Sequence, residues 1–75
     1  MSKPTRITNS IRALRFARGE MTQAELAQRI GVTRQTIIAI EQGRYSPSLE
    51  VAFQIARVFN VPLDEVFQYP DGESR

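Results

Sequence analysis

The 75-residue chain contains no cysteine and no histidine. Without cysteine there is no disulfide framework and no thiolate metal site. Without histidine, zinc ligation and most general acid–base schemes lose their usual side chain. No glycine-rich phosphate loop occurs either. Asp64 and Glu65 adjoin, but neighbouring residues on a helix point to different sides. They read as helix-capping, solubilising charges rather than a catalytic pair. An enzyme is therefore not expected, and no cofactor or metal is implied. No apolar run approaches the roughly 18 residues of a membrane span. Met1–Asn9 is polar and lacks the apolar core of a signal peptide. A cytoplasmic protein with no membrane partner is the expectation.

What is present fits one small globular domain. Hydrophobic residues make up 41% of the chain, and a chain this short has room for one core. Net charge is only +2, but it is unevenly placed. Residues 1–44 carry eight basic and three acidic side chains, a net of +5, whereas residues 45–75 carry two basic and five acidic, a net of −3. A basic half facing a polyanion is the simplest functional reading of that split.

The pattern is helical nearly throughout, with no sustained strand-like alternation and no repeat. A first helix is expected over about Asn9–Arg18, with Ile7, Ile11 and Leu14 on one stripe and Gly19 as its stop. A second runs from Gln23 to Ile30. Thr22 and Glu25 form the T-x-x-E capping box at its start, and Gly31 supplies the left-handed turn at its end. A third runs from Arg34 to Gln42, capped by Thr33, with Ile37 and Ile40 facing inward and Gly43 as its stop. A fourth spans about Ser48–Phe59, with Leu49, Ala52, Phe53, Ala56 and Phe59 expected on its buried face. Asn60 and Pro62 end it. A short fifth helix covers Leu63–Phe67. The expected architecture is all-α: five short helices in a compact bundle. Its parts are an N-terminal arm over residues 1–8, a domain over 9–69 and a tail over 70–75.

The segment Gln23–Gln42 is the most informative. Two short helices are joined by Gly31-Val32-Thr33. Ala27 is the small residue where they cross, and Val32, Ile37 and Ile40 pin the second against the first. The stretch TQAELAQRIGVTRQTIIAIEQGRYSPSLE resembles the phage-repressor and Cro-like helix-turn-helix family, often called the XRE family. The matching features are Thr22-Gln23, Glu25-Leu26-Ala27, Gly31-Val32-Thr33, Ile37, Ile40-Glu41, Gly43 and Pro47, and the similarity extends over roughly Thr8–Tyr69. The resemblance implies a lambda-repressor-like five-helix domain, with the helix-turn-helix at helices two and three, that binds operator DNA as a dimer. It also implies a structural pair between a basic residue late in the first helix, Arg15, and Glu41.

Docking physics places the start of the third helix in the major groove. Arg34 can bond guanine O6 and N7, Gln35 can bond adenine N6 and N7, and Ile38 can touch a thymine methyl. With Thr36 these are the expected base-reading residues. Gln23, Thr33, Arg44 and Tyr45 are the expected phosphate contacts. One recognition helix reads only a few base pairs, so a homodimer is expected. Val58, Leu63, Val66, Phe67 and Tyr69 are its candidate surface. The fuller reading is a sequence-specific regulator, a repressor by preference, on a palindromic operator. The competing reading is an antitoxin-type or other protein-interaction module with the same fold. The six residues 70–75 beyond the family-like segment leave little for a toxin-binding extension. A fold-conserving module that does not read DNA would carry a neutral or acidic third helix, and Arg34 and Gln35 point the other way.

Overall fold

A computed structural model describes residues 5–44 and 46–70. The element order is β1 (Thr8–Asn9), α1 (Ile11–Ala17), α2 (Gln23–Ile30), α3 (Arg34–Glu41), α4 (Leu49–Phe59), α5 (Leu63–Val66) and β2 (Phe67–Gln68). The five expected helices are present. None of them is long and apolar enough to cross a membrane.

The helix ends follow local chemistry. Thr22 accepts a hydrogen bond from the Glu25 amide while the Glu25 carboxylate accepts one from the Thr22 amide, so the capping box is complete. Thr33 and Ser48 cap α3 and α4 by accepting from Thr36 N and Val51 N. Gly31 has φ +77° and closes α2 in the left-handed region. A Cβ at Gly31 would meet no atom within 4 Å, so the cost of replacing it is backbone strain alone. Gly31→Ala is expected to lose about 1 kcal/mol, read as a melting point lower by roughly 4–8 °C. An unchanged melting point would mean that the turn relaxes to negative φ.

A two-stranded antiparallel ribbon was not expected. It pairs Thr8 with Gln68 and Asn9 with Phe67, and it pins the last residue of the presumed N-terminal arm. The ribbon also explains why α1 starts at Ile11 rather than Asn9. The Asn9 backbone is extended in β1, and its Oδ1 accepts from the Ile11 amide at 3.2 Å. The Ser10 amide donates to the Val66 carbonyl at 2.8 Å. Ile7 consequently lies before the ribbon rather than on the α1 stripe.

One core joins all five helices. Ile11, Leu26, Ile37, Ile40, Ile55, Phe59 and Val66 are its most completely enclosed large side chains, with Met21, Ala27, Ile30 and Ala56 around them. The inward face of α4 differs from expectation. Ala52, Ile55, Ala56 and Phe59 are buried, whereas Leu49 and Phe53 are 71% and 52% exposed. Glu50, Gln54 and Arg57 recur at i, i+4 and i+7 and mark the solvent face of LEVAFQIARVF, and Leu49 and Phe53 lie towards that face rather than opposite it. The opposite face, carrying Ala52, Ile55, Ala56 and Phe59, packs against α2 and α5.

Candidate nucleic-acid interface

The helix-turn-helix begins with α2 and α3, joined through Gly31, Val32 and Thr33. Ala27 is buried at the crossing, and the carbonyl of Ala27 accepts from both Gly31 N (2.9 Å) and Val32 N (3.0 Å). Ile37 and Ile40 are locked inward, which turns the other side of α3 to solvent. Arg34 and Gln35 are exposed there, and Ile38 is half-buried beside them. Thr36 is also half-buried, and its hydroxyl lies 3.0 Å from that of Thr33. Neither Arg34 nor Gln35 makes a side-chain hydrogen bond or ion pair among the described residues. Two polar side chains thus stand with free donors at the N-terminal end of a capped helix.

The support for α3 comes from a buried ion pair. Arg15 Nε donates to Glu41 Oε2 at 2.7 Å and Arg15 Nη2 donates to Glu41 Oε1 at 3.1 Å. The third nitrogen, Nη1, donates to the Met21 carbonyl at 2.8 Å. The two side chains are 8% and 9% exposed. The planar guanidinium matches a carboxylate at two points, which fixes the angle between the groups as well as their distance. Glu41 Oε1 accepts one more bond, from Gln23 Nε2 at 3.2 Å. One carboxylate therefore ties the late part of α1, the start of α2 and the end of α3. Asn9 adds a fourth tie, since its Nδ2 donates to the Ile40 carbonyl at 3.0 Å. The involvement of Gln23 and Asn9 escaped the sequence reading, because neither bond has a spacing rule behind it.

Gln23 sits at the first position of α2, half-buried, with one end of its amide held by Glu41. Thr33 and Arg44 are exposed on the same motif, before and after α3. Tyr45 lies outside the described residues, as does Lys3 of the basic N-terminal half.

An open polar cleft of about 740 Å³ runs between α1, the start of α2 and α3, with Arg12, Phe16, Gln23, Arg34 and Gln42 among its lining. Phe16 stands half-exposed in it, with the guanidinium carbons of Arg12 and Arg15 at 5.4 and 5.7 Å from its ring centroid.

The expected dimer surface divides. Leu63, Phe67 and Tyr69 line one apolar groove of about 420 Å³ together with Ile7. Val58 is half-buried and packs against the core from α4, away from that groove. Val66 is fully enclosed, which removes it from any contact surface. It sits at the inward position of α5, and the ribbon closes over it through the Ser10–Val66 hydrogen bond.

Known proteins give the same picture. Residues 11–66 match the family described as helix-turn-helix. An uncharacterized HTH-type transcriptional regulator of Methanocaldococcus jannaschii is 55% identical over 53 residues, covering 71% of this chain and 80% of that protein. The transcriptional repressor RstR of the cryptic phage CTXphi in Vibrio cholerae is 39% identical over 59 residues, covering 79% of this chain and 52% of the repressor. The crystal structure of a candidate DNA-binding protein from Bacteroides fragilis aligns with a TM-score of 0.71 at 24% identity, over 83% of this chain and 98% of that one.

Proposed function

Because the chain belongs to the helix-turn-helix family, we propose that it is a DNA-binding transcriptional regulator that represses from a palindromic operator, bound as a homodimer. The observation that carries this reading is the exposed pair Arg34–Gln35 at the capped start of α3, backed by the Arg15–Glu41–Gln23 brace. Arg34 and Gln35 read base edges, with Ile38 and the methyl of Thr36 supplying apolar contact. Gln23, Thr33, Arg44 and Tyr45 hold the phosphates on either side. Repression is supported by the name of the phage relative.

Dimerisation follows from reach. One α3 covers a few base pairs, and a two-fold pair covers two half-sites about 34 Å apart. Leu63, Phe67 and Tyr69 form the shared surface, with Ile7 added from the chain before β1.

The test is selection from a random-sequence duplex pool at two salt concentrations. The expected product is a palindrome with half-sites roughly one DNA turn apart. Retention should fall steeply with salt, because each neutralised phosphate releases counterion with a slope of about −0.9 per contact. Salt-insensitive retention, or retention without enrichment of any sequence, would refute operator reading and bring forward a protein-partner role.

A further inference from the structure

The cleft beside the recognition helix is built for more than the contacts above. Its walls carry three arginines and two carboxylates: Arg12, Arg15, Arg34, Glu20 and Glu41. Arg15 and Glu41 cancel, since all three guanidinium nitrogens of Arg15 are engaged by Glu41 and the Met21 carbonyl. That leaves Arg12 and Arg34 as positive charges with no hydrogen-bond or ion-pair partner among the described residues, against Glu20 in the same lining. Arg34 comes from the helix that enters the groove. Arg12 comes from α1.

Phe16 is the second observation. It is an aromatic side chain, 52% exposed, in a cleft lined mostly by polar residues. It lies one helical turn from Arg12, where i and i+4 side chains meet. The Arg12 guanidinium carbon is 5.4 Å from the ring centroid, within cation–π range. The ring thus holds a long, rotamer-rich side chain in one place while leaving its N–H fork free. Arginine keeps its charge in that state, and its fork matches two oxygens of a phosphate.

We propose that Arg12, positioned by Phe16, grips a backbone phosphodiester of the duplex whose bases Arg34 reads. The inference rests on the DNA-binding reading of α3 and adds α1 to the interface. A strand leaving the groove past Arg34 and Gln23 would meet Arg12 in the lining of the same cleft. Glu20, in the same lining, opposes it. Glu20 stands at φ +61° directly after Gly19 at φ +76°, and this pair of left-handed residues turns the chain from α1 towards α2. The carboxylate is therefore a built-in limit on how tightly the cleft holds a polyanion.

The test is duplex affinity across a salt series for the wild type, Arg12→Ala, Phe16→Ala and Glu20→Gln, on the selected operator and on a scrambled duplex. Arg12→Ala should weaken both duplexes by a similar factor, roughly three- to tenfold, and reduce the salt slope by about one. Phe16→Ala should weaken binding with the slope unchanged, because the charge remains but is no longer held. Glu20→Gln should tighten binding. Arg12 and Phe16 are exposed, so these variants should melt close to the wild type. Should Arg12→Ala melt early, Arg12→Gln keeps most of the stem over the ring and removes only the charge. If the wild type binds duplex and the Arg12 variants match its affinity and slope, the Arg12 contact is refuted while base reading by α3 stands. If Phe16→Ala alone matches the wild type, its positioning role is refuted. If the wild type binds no duplex, both proposals fall together.

Discussion

Replacing Glu41 with alanine is expected to destabilise the domain by about 3–5 kcal/mol, because it leaves the Arg15 guanidinium buried without its counter-charge. A chain of this size holds roughly 0.05–0.15 kcal/mol per residue of net stability, so the loss consumes a large part of the total. The expected readout is a melting point lower by about 15 °C or more. Arg15→Ala should also destabilise, and the double mutant Arg15→Ala/Glu41→Ala should lose less than the two single losses together. A coupling of zero in that cycle would show that the pair, though at 2.7 Å, does not act as a unit. The pair is not expected to be a large net source of stability, since two charges taken from water cost nearly what their attraction returns. Arg15→Met/Glu41→Leu should accordingly melt near the wild type. Its DNA binding should still fall, because Gln23 loses the carboxylate that holds its amide. Separating stability from binding in this way identifies the brace as an orienting device.

The brace also marks how much could be read from residues alone. The helix-turn-helix was legible almost to the residue: α2 spans Gln23–Ile30 and α3 starts at Arg34, because Thr22, Glu25, Gly31 and Thr33 are strong local signals. Such signals act within one turn of helix and do not depend on what packs nearby. The ribbon was not legible. Its strands have two residues each and pair across about sixty positions of sequence, so there is no alternation to detect. Its hydrogen bonds explain the shortened α1 and the enclosure of Val66, which a reading of α5 in isolation places at the surface.

The misassigned face of α4 has a different cause. Leu49 and Phe53 extend the stripe of Ala52, Ala56 and Phe59 along one edge, but the polar positions Glu50, Gln54 and Arg57 put the centre of the buried face on the side of Ile55. The result is an exposed Leu49–Phe53 pair one turn apart, outside the core that secures the fold. At the interface the limit was reach. Sequence spacing placed Arg34 and Gln35 together, but it gave no sign that Arg12 and Phe16, on a different helix, line the same cleft as Arg34.

Arg34→Ala and Gln35→Ala should each cost about 1–3 kcal/mol of discrimination at one base-pair position of each half-site. Both side chains are exposed and neither anchors the fold. The Thr33 cap, with its bond from Thr36 N at 3.2 Å, and the inward Ile37 and Ile40 remain in place. The variants should therefore melt like the wild type and keep non-specific affinity close to it for Gln35→Ala. For Arg34→Ala the non-specific affinity should also drop modestly, because a positive charge leaves the groove face. The measurement is competition between the selected operator and a panel of single-base variants. Arg34→Ala should become indifferent at a G·C pair and Gln35→Ala at an A·T pair, each leaving the other position as strict as before. Arg44→Ala is the contrast. As a backbone contact it should weaken every duplex in the panel by the same factor and flatten the salt slope. If Arg34→Ala and Gln35→Ala instead behave like Arg44→Ala, α3 is held against the backbone rather than in the groove. Specificity would then have to come from the deformability of the operator itself.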